Sequence, residues 1–484
     1  MEQEKNQKPV ILLNIDSLMP QALETAIQTG RAPALKFLME KGYYSNELVT
    51  SFPTMSVTID TSLLTGTYPN EHKIPGLHWF DTTWNSFVNY GTGFRETIRI
   101  GARRTIHNML YRLNNVHMNK EVTTIHEELA KLEIPTASIN SFVYRGNFPR
   151  QLHVPRLLRP FTQLEASTLT PSIFSLGVFS RIRPRGIPLQ ITAGNFTYAA
   201  RELRYLIQEE KLPGFTFCIF QDMDARIHLK GPFDMKGIKK VDKEIKKILD
   251  MYDSWKNALD ENIWLVIGDN GHAATGSKRR NVVIDLRKLL STYKLAQIER
   301  PVRKNDQLAI CVNQRMAYIY VLDEGTKLKA VANYLHRDQR IDVIAWRENE
   351  SITVISGGKK NSLVFQRGGD IEDRYKQSWR ISGDLTLLDL TINDSKLIYG
   401  DYPDALARLY GALFSQEGRF LVVNAQSGCE FKAQSTPTHL SGAAHGSLNK
   451  QESLVPLIIA GTEQTPTYNR IIDLKAFILK LLTE

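Results

Sequence analysis

Residues 264–273 read WLVIGDNGHA. Five mostly apolar residues run into Asp269, Asn270, Gly271 and His272. A short apolar run without alternation predicts a strand buried on both faces, as in a parallel sheet. The strand then ends in a carboxylate, an amide and an imidazole, the donor types that hold a metal ion. An amide oxygen at Asn270 is a harder and weaker donor than an imidazole nitrogen, so this end of the strand raises a question about the ion it takes.

The same pattern recurs outward along the chain. PVILLNI (9–15) ends at Asp16, and FTFCIF (215–220) runs into QDMDARIH, with Asp224 and His228 at D-x-x-x-H spacing. SLVPLIIAG (453–461) follows His445 in AAHGS. In open α/β sheets ligands bind in the crevice outside the carboxyl ends of the strands. Each residue alone has a plainer reading: an N-cap for an aspartate after a strand, chance for a D-x-x-x-H, a turn for a histidine beside glycine. Their joint position at strand ends carries the metal reading. Asp16, Asp224, Asp269, His228 and His445 make a set suited to zinc, manganese or iron.

Hydroxyl nucleophiles are on offer in SFPTMSVT: Ser51, Thr54, Ser56 and Thr58. The segment becomes helical through Leu63 and Leu64 and stops at Gly66. A hydroxyl at a helix N-terminus sits where an anionic phosphoryl group is favoured, and a metal activates it as an alkoxide. Helix capping is the plainer role for the same residues.

Bulk properties bound the rest. The chain has 484 residues, 42% hydrophobic and 23% charged, which reads as a soluble globular protein with one large or several smaller domains. The net charge of +10 is concentrated in runs such as KGIKKVDKEIKK (236–247) and RTIHNMLYR (104–112), read as solvated helix faces. No aromatic-interleaved basic motif accompanies them, so no specific nucleic-acid binding is expected. Cys218, Cys311 and Cys429 lack metal or disulfide spacing, and the first and second lie in apolar runs that predict burial. The N-terminal MEQEKNQKPV has no apolar leader core and VILLNI is too short to span a bilayer, so the expectation is a cytoplasmic protein without a transmembrane segment.

The segment from about 235 to 260 predicts one long amphipathic helix. MAYIYVLD, IDVIAWR, SLVFQR and KLIYGD alternate like strands separated by turns such as SGGKKN. The organisation read from this is a hydrolase core over 1–290 with an insertion at about 80–205, an α+β cap over 291–430, and a return to the core over 431–484.

The motif blocks resemble the type I phosphodiesterase/nucleotide pyrophosphatase family of the alkaline phosphatase superfamily. They are VILLNIDSLMP, SFPTMSVTIDTSLLTGTYPNEHKIPG, DMDARIHLKGP, LVIGDNGH and AAHGSLNKQESLVPLIIAG, in that order. The TGxYPxxH core (Thr65, Gly66, Tyr68, Pro69, His72) is the most specific, followed by D-x-x-x-H-x-x-G-P (Asp224, His228, Gly231, Pro232). The resemblance implies an alkaline-phosphatase-like α/β core, a central mostly parallel sheet flanked by helices, with the cap inserted. It also implies two divalent metal ions. Carried over residue by residue, one is held by Asp16, Asp269 and Asn270 and the other by Asp224, His228 and His445. The nucleophile falls on Thr54 or Ser56, and the F-P spacing favours Ser56, which also ligates metal. Zn2+ is the expected ion, with Mn2+ an option at the Asp16/Asp269/Asn270 site.

Three departures stand out. The family's D-H-G is D-N-G here, with Asn270 for histidine. That tilts its site towards Mn2+ or Mg2+, or brings in His272, or impairs the site. Ser17 stands where glycine is usual, and Ile59, flanked by Thr58 and Asp60, stands where an asparagine often supports the phosphoryl oxygen. Sulfatases place x-P-x-R after the nucleophile, and Ser56 is followed by VTID. The expected activity is metal-dependent hydrolysis of phosphodiester or pyrophosphate bonds in a small phosphate ester, through a phosphoryl group on Ser56. The alternatives are a phosphomonoesterase of the superfamily and a degenerate phosphate-binding member. Arg145, in FVYRGNF, is a candidate contact for a substrate anion. The sequence specifies no oligomeric state.

Overall fold

The computed structural model describes residues 7–154, 167–183 and 195–484. The first six residues, which contribute to the leader reading, and two parts of the 80–205 stretch lie outside the described residues.

A seven-stranded sheet forms the centre, in the spatial order 42–49, 454–460, 263–268, 10–15, 215–220, 136–139, 173–175. Val10–Ile15 runs parallel to Ile263–Gly268 on one side and to Phe215–Phe220 on the other. Leu454–Ala460 is antiparallel to its neighbour Ile263–Gly268, so the sheet is mostly parallel, as expected. Two of its strands, Thr136–Ile139 and Ile173–Ser175, come from within the 80–205 stretch.

Strand Val10–Ile15 is buried along its whole length because helices cover both faces. Its side chains alternate between them. Ile11, Leu13 and Ile15 pack with Leu23, Leu35, Val241 and Ile245, which come from helices Pro20–Gln28, Pro33–Glu40 and Met235–Leu249. Val10 and Leu12 pack with Leu63, Ile125 and Ile478, from helices Ser56–Thr65, Ile125–Lys131 and Leu474–Thr483. Truncating one such core leucine to alanine costs about 2–5 kcal/mol. The segment expected as one helix over 235–260 is two, Met235–Leu249 and Trp255–Glu261, because Ser254 accepts from Asn257 N at 3.1 Å and caps a new helix start.

A second, nine-stranded sheet holds the strands predicted between 308 and 425. Its pairings are antiparallel apart from one short parallel contact between Leu363–Asp373 and Lys396–Tyr399. It has its own core, including Tyr318, Val343, Trp379 and Leu409. Its hairpin Leu308–Asn313/Met316–Val321 points back to the first sheet. Asn313 Oδ1 accepts from the backbone of Leu77 and His78 at 2.9 and 3.0 Å, and buried Arg315 ion-pairs with buried Glu452. All three cysteines are free and buried. No helix among the described residues is long and apolar enough to cross a membrane.

Candidate active site

The parallel register sets the site. Ile15, Gly268 and Phe220 lie side by side, so the residues that follow leave the sheet at one level. Asp16 and Asp269 therefore emerge from adjacent strands, about 4.8 Å apart by sheet geometry. Asp224 comes one turn later, in helix Met223–Lys230, and His228 is four residues on, on the same face. His445 precedes strand Leu454–Ala460, and the antiparallel direction of that strand brings the preceding loop to the same edge. A two-residue ladder, Ala273–Ala274 with Ala443–Ala444, ties the DNGH loop to the AAHGS loop. Gly271 permits that approach: a Cβ there would stand 2.2 Å from Gln451 O.

Asp224 Oδ1 is the meeting point of imidazoles, with His228 Nε2 at 3.0 Å and His445 Nε2 at 3.5 Å. Candidate ligand atoms of these three residues all lie within 4.8 Å of one another. The Nδ1 atoms of His228 and His445 face the carbonyls of Ala443 and Thr54. A carbonyl only accepts, so Nδ1 carries the proton and the Nε2 lone pair is aimed inward, the arrangement seen in metal-ligating histidines. Desolvation acts to raise the Asp224 carboxyl, but His228, with His272 and His445 beside it, holds it well below the usual carboxylate range. His439 stacks on His228 at 4.1 Å between ring centres and reaches Glu430 Oε2 through Nδ1 at 3.1 Å.

Next to this set lies a cluster of like charges. Asp269 Oδ1 accepts from the backbone N–H of Ser17 and of Asn270, each at 2.8 Å, and these donors with the Ser56 side chain act to hold the carboxyl down. Burial nevertheless raises Asp269 above the usual range. Burial raises Asp16 too, and the negative charges of Asp269 and Asp224 add to it. Asp60 is raised for the same reason, by burial and by Asp269, against a 2.9 Å hydrogen bond from Asn14. Crowded carboxylates beside inward-facing imidazole lone pairs are a donor set that fits divalent cations.

The four candidate hydroxyls separate by surroundings. Ser51 accepts from Ser62 at 2.9 Å, Thr54 accepts from Gly446 N at 2.7 Å, and Thr58 is fully buried. Ser56 alone of the four is not fully buried, and it stands at the first position of helix Ser56–Thr65. Gly66 closes that helix in the left-handed conformation (φ 68°), as the sequence indicated. His72 of the TGxYPxxH block is structural: it lies 2.9 Å from Ser62 Oγ, and burial holds it neutral with a pKa of about 3.

Arg145 is engaged by groups of the protein itself. It ion-pairs with Glu127 at 3.1 Å and donates to the carbonyls of Asn119 and Val122. His272 is at the site, but through contacts to Ser17 and Asp224. Gln314, which carries no signal in the sequence, reaches the site from the turn of the second sheet's hairpin. Its Nε2 lies 3.3 Å from His228 Nε2 and 2.9 Å from His445 Nε2, while its Oε1 accepts from His445 N at 3.0 Å. His439, in THLSG, has no ligand spacing to mark it in the sequence.

Comparisons with known proteins bear on the fold and the family. Among solved structures, murine ectonucleotide pyrophosphatase/phosphodiesterase 5 superposes with a TM-score of 0.59 at 14% identity, over 98% of this chain and 95% of that one. The human counterpart gives 0.58 at 13%, over 98% and 95%. Phosphonoacetate hydrolase from Sinorhizobium meliloti 1021, in complex with phosphonoformate, gives 0.57 at 13%, over 99% and 96%. These likenesses place the fold among the alkaline-phosphatase-like proteins. No curated protein sequence matches the chain. The model of the type I phosphodiesterase/nucleotide pyrophosphatase family matches residues 10–390, from the first strand of the central sheet into the second sheet. The chain therefore belongs to the type I phosphodiesterase/nucleotide pyrophosphatase family and is a hydrolase of that family.

Proposed function

We propose that the protein hydrolyses phosphodiester or pyrophosphate bonds of a small phosphate ester through a phosphoryl group carried on Ser56. The observation that carries this reading is Ser56 itself. It is a half-buried hydroxyl at a helix start, and its side chain acts on the buried Asp269 carboxyl, which leaves the sheet beside Asp16.

The chain's own groups divide the work. The N-terminus of helix Ser56–Thr65 presents backbone N–H groups to an incoming phosphoryl oxygen. Asp269 accepts the Ser56 hydroxyl hydrogen bond and orients Oγ. Oγ attacks phosphorus in line, the Oγ–P bond forms as the bond to the leaving oxygen breaks, and the proton given up by the Ser56 hydroxyl is balanced by one taken up on the leaving oxygen. Water then attacks the ester-bearing phosphoryl group on Ser56, its proton restores the hydroxyl, and the phosphomonoester is released. Two divalent cations, held by the two donor sets, supply charge neutralisation of the phosphoryl oxygens and lower the pKa of the hydroxyl.

A diester or pyrophosphate fits better than a monoester dianion. The family is one of phosphodiesterases and nucleotide pyrophosphatases, which supports that order of substrates. A neighbouring solved structure, an inactive variant of murine ectonucleotide pyrophosphatase/phosphodiesterase 5, is a complex with AMP. That ligand type supports a nucleotide-like product as the first to try.

The test is hydrolysis of bis-p-nitrophenyl phosphate against p-nitrophenyl phosphate by metal-stripped protein refilled with Zn2+ or Mn2+. Diester turnover is expected to exceed monoester turnover and to fall on the order of 10⁴–10⁶-fold in Ser56→Ala. Near-normal turnover by Ser56→Ala would move the nucleophile to Thr54. No turnover of either ester would favour the degenerate phosphate-binding alternative.

A further inference from the structure

Three histidines converge on Asp224 Oδ1, His228 at 3.0 Å, His272 at 3.3 Å and His445 at 3.5 Å, each through Nε2. They are not equivalent. His228 and His445 each keep a proton on Nδ1 against a carbonyl, so Nε2 is the nitrogen that can meet a cation. His272 faces Asp224 through the same nitrogen but differs at the other one. Its Nδ1 is buried without a partner among the described residues, and its Nε2 lies against two oxygens, Ser17 Oγ at 2.9 Å and Asp224 Oδ1 at 3.3 Å. That setting places the proton on Nε2, where it has acceptors. A ring protonated there has no lone pair on that atom to give a cation.

Ser17 explains the direction of the ring. Its φ of 61° lies in the left-handed region that favours glycine. A serine there sets Oγ 3.1 Å from Asp16 Oδ1, 3.4 Å from Asp224 Oδ1 and 3.5 Å from Asn270 Oδ1. Ser17 accepts from His272 Nε2 and donates to Asp16 Oδ1, its nearest acceptor. The set around Asp16 then contains the carboxylates of Asp16 and Asp269, the Ser56 hydroxyl and the Asn270 amide oxygen. All are oxygens.

We propose that His272 and Ser17 form a hydrogen-bonded bridge from Asp224 to Asp16, and that this bridge leaves the centre with two chemically unlike cation sites. The Asp224/His228/His445 set takes a zinc-class ion. The Asp16/Ser56/Asp269/Asn270 set takes a hard divalent cation such as Mn2+ or Mg2+. His272 is a positioning residue here, not a ligand. The inference rests on the two-cation reading above and is tested by metal binding, not by turnover.

Metal-stripped full-length protein is titrated calorimetrically with Zn2+. With one equivalent of Zn2+ bound, Mn2+ is added and its directly bound nitrogens are read by pulsed electron paramagnetic resonance. The expected result is one tight zinc ion, then one Mn2+ with no directly bound imidazole nitrogen. Asn270→His is expected to add that nitrogen and tighten a second zinc. His272→Phe is expected to weaken both sites about 10–100-fold, with His272→Gln, which keeps a donor N–H, restoring most of the loss. Thermal melts of the metal-free variants separate this effect from misfolding. A directly bound nitrogen at the Mn2+ site that disappears in His272→Gln would overturn the proposal. So would two zinc ions of equal affinity, unaffected by His272→Phe. Failure to bind any stoichiometric cation would overturn both this inference and the two-cation reading, whereas two equal zinc ions in a working diesterase would overturn this inference alone.

Discussion

In the seven-stranded sheet, the strands from Ile173–Ser175 across to Ile263–Gly268 run parallel, so their carboxyl ends share one edge. In the nine-stranded sheet nearly every neighbour reverses direction, and strand ends alternate between two edges. Both sheets are rich in buried aliphatic side chains. The difference in direction decides what each can do. Parallel strands gather Asp16, Asp224 and Asp269 in one crevice without help from long loops. The antiparallel sheet delivers one polar group, Gln314, to that crevice at a hairpin turn, while its neighbours Asn313 and Arg315 fix the turn through His78 and Glu452. Its chemistry is local and its larger contribution is to hold the hairpin in place.

Substitutions in the two sheets should separate these roles. The largest effect is expected at the parallel edge. His228→Ala removes an inward-facing lone pair and should lower zinc affinity at least ~100-fold, measured by competition with a chelator, while the fold persists by circular dichroism. Unchanged affinity would break the assignment of chemistry to that edge. An intermediate effect is expected where the two sheets meet. Arg315→Met leaves the Glu452 carboxylate buried without its partner, a loss of about 3–5 kcal/mol in urea unfolding. If the hairpin were a passive contact, stability would change far less. The smallest effect is expected far out on the antiparallel sheet. Lys396→Ala breaks an exposed pair with Glu372 at 2.6 Å and should cost under ~1 kcal/mol with kcat/KM unchanged.

The same contrast explains what could be read in the sequence. Continuous apolar runs ending in Asp16 or Asp269 announce parallel strands and their ligands together, because burial on both faces removes alternation. Strands Thr136–Ile139 and Ile173–Ser175 carry no such signal, being only four and three residues long and bearing hydroxyls. The break after Leu249 was hidden because apolar residues recur on both sides of it, and the Ser254 cap is one ordinary serine among polar neighbours. Local pattern marked Asp224, His228 and His445, but the direction of the His272 ring depends on Ser17, 255 residues away. Gln314 belongs to a turn whose sequence suits many glutamines, and only the return of the hairpin to the first sheet gives it a role. Arg145 shows the converse, since an arginine in a plausible loop is engaged by Glu127.

The central claim, that Ser56 carries the phosphoryl group, is tested most directly by acid-quenching metal-loaded protein during bis-p-nitrophenyl phosphate turnover and mapping the adduct by peptide mass spectrometry. The account predicts a p-nitrophenyl phosphoryl adduct on the peptide containing Ser56, absent from Ser56→Ala. Turnover that continues in Ser56→Ala, or an adduct mapped to Thr54 or another hydroxyl, would contradict it.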